Sequence, residues 1–167
     1  MSRTVHLTAS SPHPVGGLRS AFADREYWRA RLELYAAGAP RLDTLSTATD
    51  GTTTVEITMR FGGEQLPAVL RPLRLGSLRI VQREQWQPVD GGLRGAVEVA
   101  APRTPISGRG DVRLTGDGAG TRLDGTGIVD VRVPLIGGPI AAFLADLLAD
   151  GIRDIVGVTD QWLDRRA

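Results

Sequence analysis

The sequence contains no cysteine, no lysine and no asparagine among its 167 residues. Without cysteine there can be no disulfide, no thiolate zinc ligand and no cysteine nucleophile. Without lysine, all 20 basic residues other than histidine are arginine. High-GC coding pressure produces that bias, so the arginines as a set carry no sign of selection for phosphate binding. Long hydrophobic runs are missing too. No stretch approaches the roughly 20 apolar residues of a membrane-spanning helix. The opening MSRTVHLTASSPHPVGG lacks the apolar core of a signal peptide. The expectation is a soluble, cytoplasmic protein with no integral membrane association.

Charge of one sign is also lacking. The net charge is +1, and arginine alternates with aspartate and glutamate along the chain, as on a solvated mixed surface. A nucleic-acid partner calls for a basic stripe, and none is present. Only two histidines occur, His6 and His13, and they stand apart in a strand pattern and a proline-flanked loop. No metal site and no cofactor is expected from them. There is no Gly-x-Ser-x-Gly elbow of a serine hydrolase. The glycine-rich TGDGAG lies between two strand patterns and opens no helix, so it reads as a hairpin turn, not a phosphate loop.

What is present is a change of period along the chain. Thr4 to Ala9 alternates apolar and polar, as a short strand does. SPHPVGG breaks it. A short helix is expected around Leu18 to Phe22. A second follows Asp24, a good N-cap, with Trp28, Leu32 and Tyr35 on one face. From about Leu42 to Val133 the period is two. Val55, Ile57, Met59 and Phe61 oppose Glu56, Thr58 and Arg60, and the same alternation recurs through Leu93–Val99, Ile106–Leu114 and Leu123–Val133. Turns at Asp50-Gly51, Asp90-Gly91-Gly92 and TGDGAG separate neighbours. The result is an antiparallel sheet with one dry and one charged face. Residues 62–76 interrupt it with two prolines and an apolar cluster, as a short helix or a lid-like loop. After Pro134 the period becomes helical to Asp164. Gly151 and Gly157 are positions where that helix could kink or be closely approached.

A one-sided sheet needs a cover, and the C-terminal helix is the only element long and apolar enough to provide it. The fold class is therefore α+β: a curved antiparallel sheet of about seven strands around a long C-terminal helix, with two short helices after strand 1. That order resembles the START-related, helix-grip (SRPBCC) superfamily. More narrowly, FADREYWRARL, LPAVLRPL, VQREQW and VPLIGGPIAAFLADLLADGI are similar to a family of uncharacterised, high-GC bacterial START-like proteins. The resemblance runs from about Arg3 to Leu163 and implies a single domain over 3–164. It brings no catalytic motif. It implies a cavity between sheet and last helix that holds lipids, polyketides or other small apolar molecules.

The strand Ile80–Trp86 (IVQREQW) bears on that cavity. Its alternation turns Ile80, Gln82, Glu84 and Trp86 to one face. A buried carboxylate needs a partner, so Glu84 either bonds an arginine as a structural device or, with Gln82, orients a bound molecule. Inward glycines at 95, 108, 110, 125 and 127 either keep a cavity floor low or bend the sheet. The expected ligand-binding set is Met59 and Phe61 from one strand, Gln82, Glu84 and Trp86 from the next, and Phe143 and Leu147 from the helix. Three functions fit. The favoured one is carriage of a small apolar molecule. The alternatives are a cyclase- or dehydratase-type enzyme using Glu84 as acid or base, and a protein-interaction domain.

Overall fold

A computed structural model describes residues 1–167. The seven strands are β1 (Ser2–Ser11), β2 (Arg41–Thr47), β3 (Thr53–Gly62), β4 (Ser77–Val89), β5 (Gly92–Ala100), β6 (Ile106–Asp117) and β7 (Gly120–Val131). They form one curved antiparallel sheet in the order β1-β7-β6-β5-β4-β3-β2. Only β1 is out of sequence, because the two helices α1 (Val15–Phe22) and α2 (Arg25–Leu32) carry the chain from one edge of the sheet to the other. The tight turns are glycine-dependent: Gly91 and Gly118 adopt φ of +76° and +59°, a region closed to most side chains.

The period-two pattern reads directly onto the sheet. Val55, Ile57 and Met59 of β3 are buried, as are Leu93 of β5 and Leu114 of β6. The opposite face carries ion pairs between neighbouring strands, Arg83–Glu56 at 3.7 Å and Arg94–Asp111 at 3.4 Å. Such exposed pairs contribute a few tenths of a kcal/mol each, at most about 1. Asp24 caps α2 by accepting a 2.8 Å bond from the Glu26 amide. The first helix begins at Val15, three residues earlier than the sequence pattern indicates, because Pro14 enters it in extended conformation and both following glycines join the turn.

The last helix, α3, spans Gly137–Asp164, 28 residues, or about 42 Å at 1.5 Å per residue. It runs through Gly151 and Gly157 as one element. A Cβ at either glycine would meet nothing within 4 Å, so neither marks a close approach. The helix packs most closely on β1 and β7 and against α2. Its C-terminal end is tied to the end of β1 and the loop that follows: the Ser11 hydroxyl donates to Asp160 at 2.5 Å, and His13 Nε2 lies 2.8 Å from Asp164. The N-terminal ammonium donates to the Val131 carbonyl at 2.9 Å.

Two dry clusters fill the space under the sheet. The larger joins α1 and α2 (Leu18, Phe22, Tyr27, Trp28) to Val55, Ile57, Trp86, Leu114 and Trp162. The smaller joins Leu70, Leu78, Val129 and Val131 to Ile140 and Ala141 of α3. Residues 62–76 form two turns of 3-10 helix, Gly63–Gln65 and Ala68–Leu73. Leu70, only 3% exposed, plugs the second cluster, so this segment is part of the packed interior at one end.

Candidate functional site

Glu84 stands at the centre of the sheet's inner face. The strand register places it between Val55 of β3 and Val97 of β5. The same row continues through Gly110 of β6 and Gly127 of β7. Opposite it lies α2. Helical spacing puts Trp28, Arg31, Leu32 and Tyr35 on one side of that segment, so the amphipathic face that buries Trp28 and Leu32 also carries a guanidinium inward.

Arg31 and Glu84 meet as a two-pronged pair. Arg31 Nη1 donates to Glu84 Oε1 at 3.2 Å and Nη2 donates to Oε2 at 2.7 Å. Gln82 Nε2 donates to Oε2 at 2.6 Å and Trp86 Nε1 donates to Oε1 at 3.0 Å. Arg31 and Glu84 are 3% and 2% exposed. The guanidinium carbon also sits 4.3 Å over the Trp28 ring, a cation–π contact in a desolvated setting. Four donors on two oxygens leave the carboxylate no open acceptor site. Both oxygens of Glu84 are thereby engaged by the protein's own donors.

The electrostatics follow from the burial. Desolvation works against the charge on Arg31, but facing Glu84 outweighs it and holds the guanidinium even further above its usual range. Burial pushes the phenols of Tyr27 and Tyr35 up, against the opposing pull of Arg31. The Tyr27 hydroxyl is bonded to Thr159 of α3 at 2.7 Å. Nε of Arg31 is the one buried side-chain polar atom without a hydrogen-bond partner, at a cost of about 1–3 kcal/mol.

The seven sequence-derived site residues do not all gather here. Gln82, Glu84 and Trp86 do, and Met59 lies buried in the same cluster. Phe61 packs over Gly38: a Cβ there would lie 2.6 Å from the ring. Leu147 is a correction, since it is 55% exposed. Phe143 is half-buried and belongs to neither cluster. The buried stripe of α3 runs through Ala141, Ala145 and Thr159. Helical spacing admits both: Leu147 lies seven residues, and so about 20° around the helix, from the buried Ile140. What stands opposite each turn, which the spacing does not carry, leaves Leu147 exposed. Arg31 was missed for a different reason, since its charge hid its place in the helical spacing between Trp28 and Tyr35.

Four of the five inward glycines divide into two kinds, and at the fifth, Gly125, a Cβ would make ordinary contact with Val112 and Leu123 at 3.7 and 3.8 Å. A Cβ at Gly95 would lie 2.5 Å from the Trp86 ring, and one at Gly127 would lie 2.9 Å from Leu148. Those two accommodate the protein's own side chains. At Gly108 and Gly110 a Cβ would meet only backbone atoms and Val99 Cβ, at 3.4 Å or more. Their row neighbours Val97 and Val99 point inward and are only half-buried, as is Gln82. The helix residues Ile152, Ile155 and Val156 are half-buried as well. The sheet and helix thus close at two dry clusters, with a less tightly covered stretch over β5 and β6 between them.

Comparison with known proteins places this geometry. The family described as Protein of unknown function (DUF2505) matches residues 6–163. The uncharacterized protein Rv0481c of Mycobacterium tuberculosis is 24% identical over 170 residues, covering 98% of each chain. Among solved structures, Ara h 8.0201 superposes with a TM-score of 0.61 at 9% identity, covering 98% of both chains. Norcoclaurine synthase of Thalictrum flavum, solved with dopamine and hydroxybenzaldehyde, gives 0.59 at 9% identity, covering 100% of this chain and 90% of that one. The Zhui aromatase/cyclase of Streptomyces sp. R1128 gives 0.51 at 14%, covering 99% and 96%. At such identities these structures share the fold alone, the START and Bet v1-like helix grip. The family match, by contrast, spans nearly the whole chain, and the chain belongs to the DUF2505 family.

Proposed function

We propose that this protein binds a small apolar molecule between the sheet and α3, over Gly108 and Gly110. The observation that carries this reading is the pair of inward glycines at which a Cβ would meet no helix side chain within 4 Å, flanked by half-buried inward valines, between two sealed clusters. Natural ligand pockets are mostly apolar with a few placed polar groups. Gln82 supplies one here. Its amide nitrogen is committed to Glu84, which fixes the side chain and leaves its carbonyl to accept from a ligand hydroxyl. Trp86 adds an aromatic wall. The helix-grip neighbours that are named with dopamine and hydroxybenzaldehyde, or as an aromatase/cyclase, support a ligand of compact aromatic or polyketide-like size. Carriage, not turnover, is the favoured role, because the buried carboxylate is fully engaged by Arg31, Gln82 and Trp86.

The test fills the floor. Neither glycine has a positive φ, so valine fits the backbone at both. Nile red, a neutral apolar fluorophore, should bind the wild type saturably, and Gly108→Val with Gly110→Val should weaken it tenfold or more while the protein stays folded. Native mass spectrometry of the protein from its expression host should show an adduct that leaves on denaturation. Equal Nile red binding by the filled variant would remove this site from consideration.

A further inference from the structure

A second pocket lies on the other side of the sheet, where β4 begins and β5 ends. It is open, about 520 Å³ in volume, and four arginines line it: Arg60, Arg74, Arg79 and Arg103. No acidic residue lines it. Elsewhere on this outer face, arginines at 83, 94 and 122 pair with Glu56, Asp111 and Asp124. Around this pocket no such pair forms. Arg60 and Arg79 are direct cross-strand partners, as Arg94 and Arg113 are elsewhere, but there Arg94 is paired with Asp111; like charges placed opposite each other destabilise a sheet. None of the four guanidinium groups is in an ion pair or hydrogen bond with the protein. The nearby Asp43 carboxylate is already engaged by the Thr58 hydroxyl and by Arg41.

The backbone makes the same point independently. Four non-glycine residues in the chain have left-handed φ, and two of them are Arg74 at +51° and Arg103 at +66°. Glycine would take that conformation without strain. Arg74 takes it as the cap of the Ala68–Leu73 turn and Arg103 in the loop after β5, and both carry guanidinium groups to the one pocket. Codon bias explains why the basic residues are arginine. It does not explain four of them converging without an acid.

We propose that this pocket binds the phosphate or diphosphate group of a small molecule. Guanidinium forks match phosphate oxygens two at a time. Four positive charges suit a group of two or three negative charges better than a single carboxylate. The volume lies in the small-molecule range of about 300–1,000 Å³ and exceeds what a bare phosphate needs. The charge is gathered in one concavity and does not run as a stripe, unlike a nucleic-acid footprint. The pocket opens away from the sheet–helix interior, so its fate is independent of the apolar site.

The probe is inorganic pyrophosphate, titrated calorimetrically into the full-length protein at constant ionic strength set with chloride. Saturable binding and a rise in melting temperature are expected. Arg60→Gln with Arg79→Gln should weaken binding about tenfold or more. The same variant should melt no lower than the wild type without pyrophosphate, since it removes a like-charge contact. Arg103→Gly, on a loop and free of backbone strain, should weaken binding as well. Heat that only tracks ionic strength would overturn the proposal, as would unchanged affinity in these variants. Capture by phosphatidylglycerol vesicles or single-stranded DNA that pyrophosphate fails to compete would overturn it in favour of a surface or polymer ligand.

Discussion

Removing Arg31 alone strands a buried carboxylate. Breaking a buried ion pair on one side costs about 3–5 kcal/mol, whereas replacing both partners with apolar groups of similar volume is often close to neutral. Arg31→Met is therefore expected to lower stability by about that amount in urea melts at pH 7. Arg31→Met with Glu84→Leu should recover a large part of the loss. A double variant that loses the sum of the single losses would mean that the two side chains are uncoupled, and would contradict the stranded-charge account. The phenols nearby set a second expectation. Tyr27 and Tyr35 are held protonated above the usual value near 10 by burial. The unfolded chain ionises first, so this stability is complete below about pH 10 and falls as pH rises beyond it. Urea melts between pH 8 and 11 would show the decline, and Tyr27→Phe should flatten it while losing the Thr159 bond. A flat wild-type profile would contradict the burial account.

At the scale of the element, glycines in the same sheet are expected to behave oppositely. Gly95 of β5 lies under the Trp86 ring, with 2.5 Å to a hypothetical Cβ. Gly95→Val should cost at least about 1–3 kcal/mol, the usual range for overpacking. Gly108→Val on β6 meets only ordinary contacts and replaces a poor strand former with a good one. Its melting temperature should equal or exceed that of the wild type. If both variants lose stability alike, the space over β6 is already filled. The helix gives the parallel contrast: Leu147 is exposed and Ile140 is 1% exposed. Leu147→Ser should fall within about 0.5 kcal/mol of the wild type, and Ile140→Ala should cost about 2–5 kcal/mol.

At the scale of the whole molecule, β1 holds the two ends of the chain together. Its register pairs Ser2 with Asp130 and Ser11 with Thr121, while Ser11 and His13 anchor the C-terminal end of α3. Deleting Ser2–Ser11 would expose the β7 edge, take away the strand on which α3 packs and remove the Ser11 anchor. The truncated chain is expected to lose cooperative thermal unfolding in near-UV circular dichroism. A sharp transition close to that of the full chain would show that the sheet and helix hold without the first strand. Contacts this distant in sequence also predict slow folding, on the millisecond-to-second scale of β-rich domains.

The order and kind of the elements were legible in the sequence because each rests on a local period. Alternation placed Val55, Ile57 and Met59 inward, Asp24 announced the start of α2, and the change of period at Pro134 announced α3. The requirement that Glu84 have a partner was legible too, since a buried charge must be met. Which arginine met it was decided by tertiary structure. Arg31 lies 53 residues away, and only the crossing of α2 over β4 brings the two together. The same holds for what stands opposite Phe143 and Leu147 on α3, and for the glycines covered by Trp86 or Leu148. It holds as well for the four arginines that converge from β3, β4 and two loops. Periodicity determines which face a residue is on. What stands opposite that face depends on how distant segments are packed, and no local pattern carries that information.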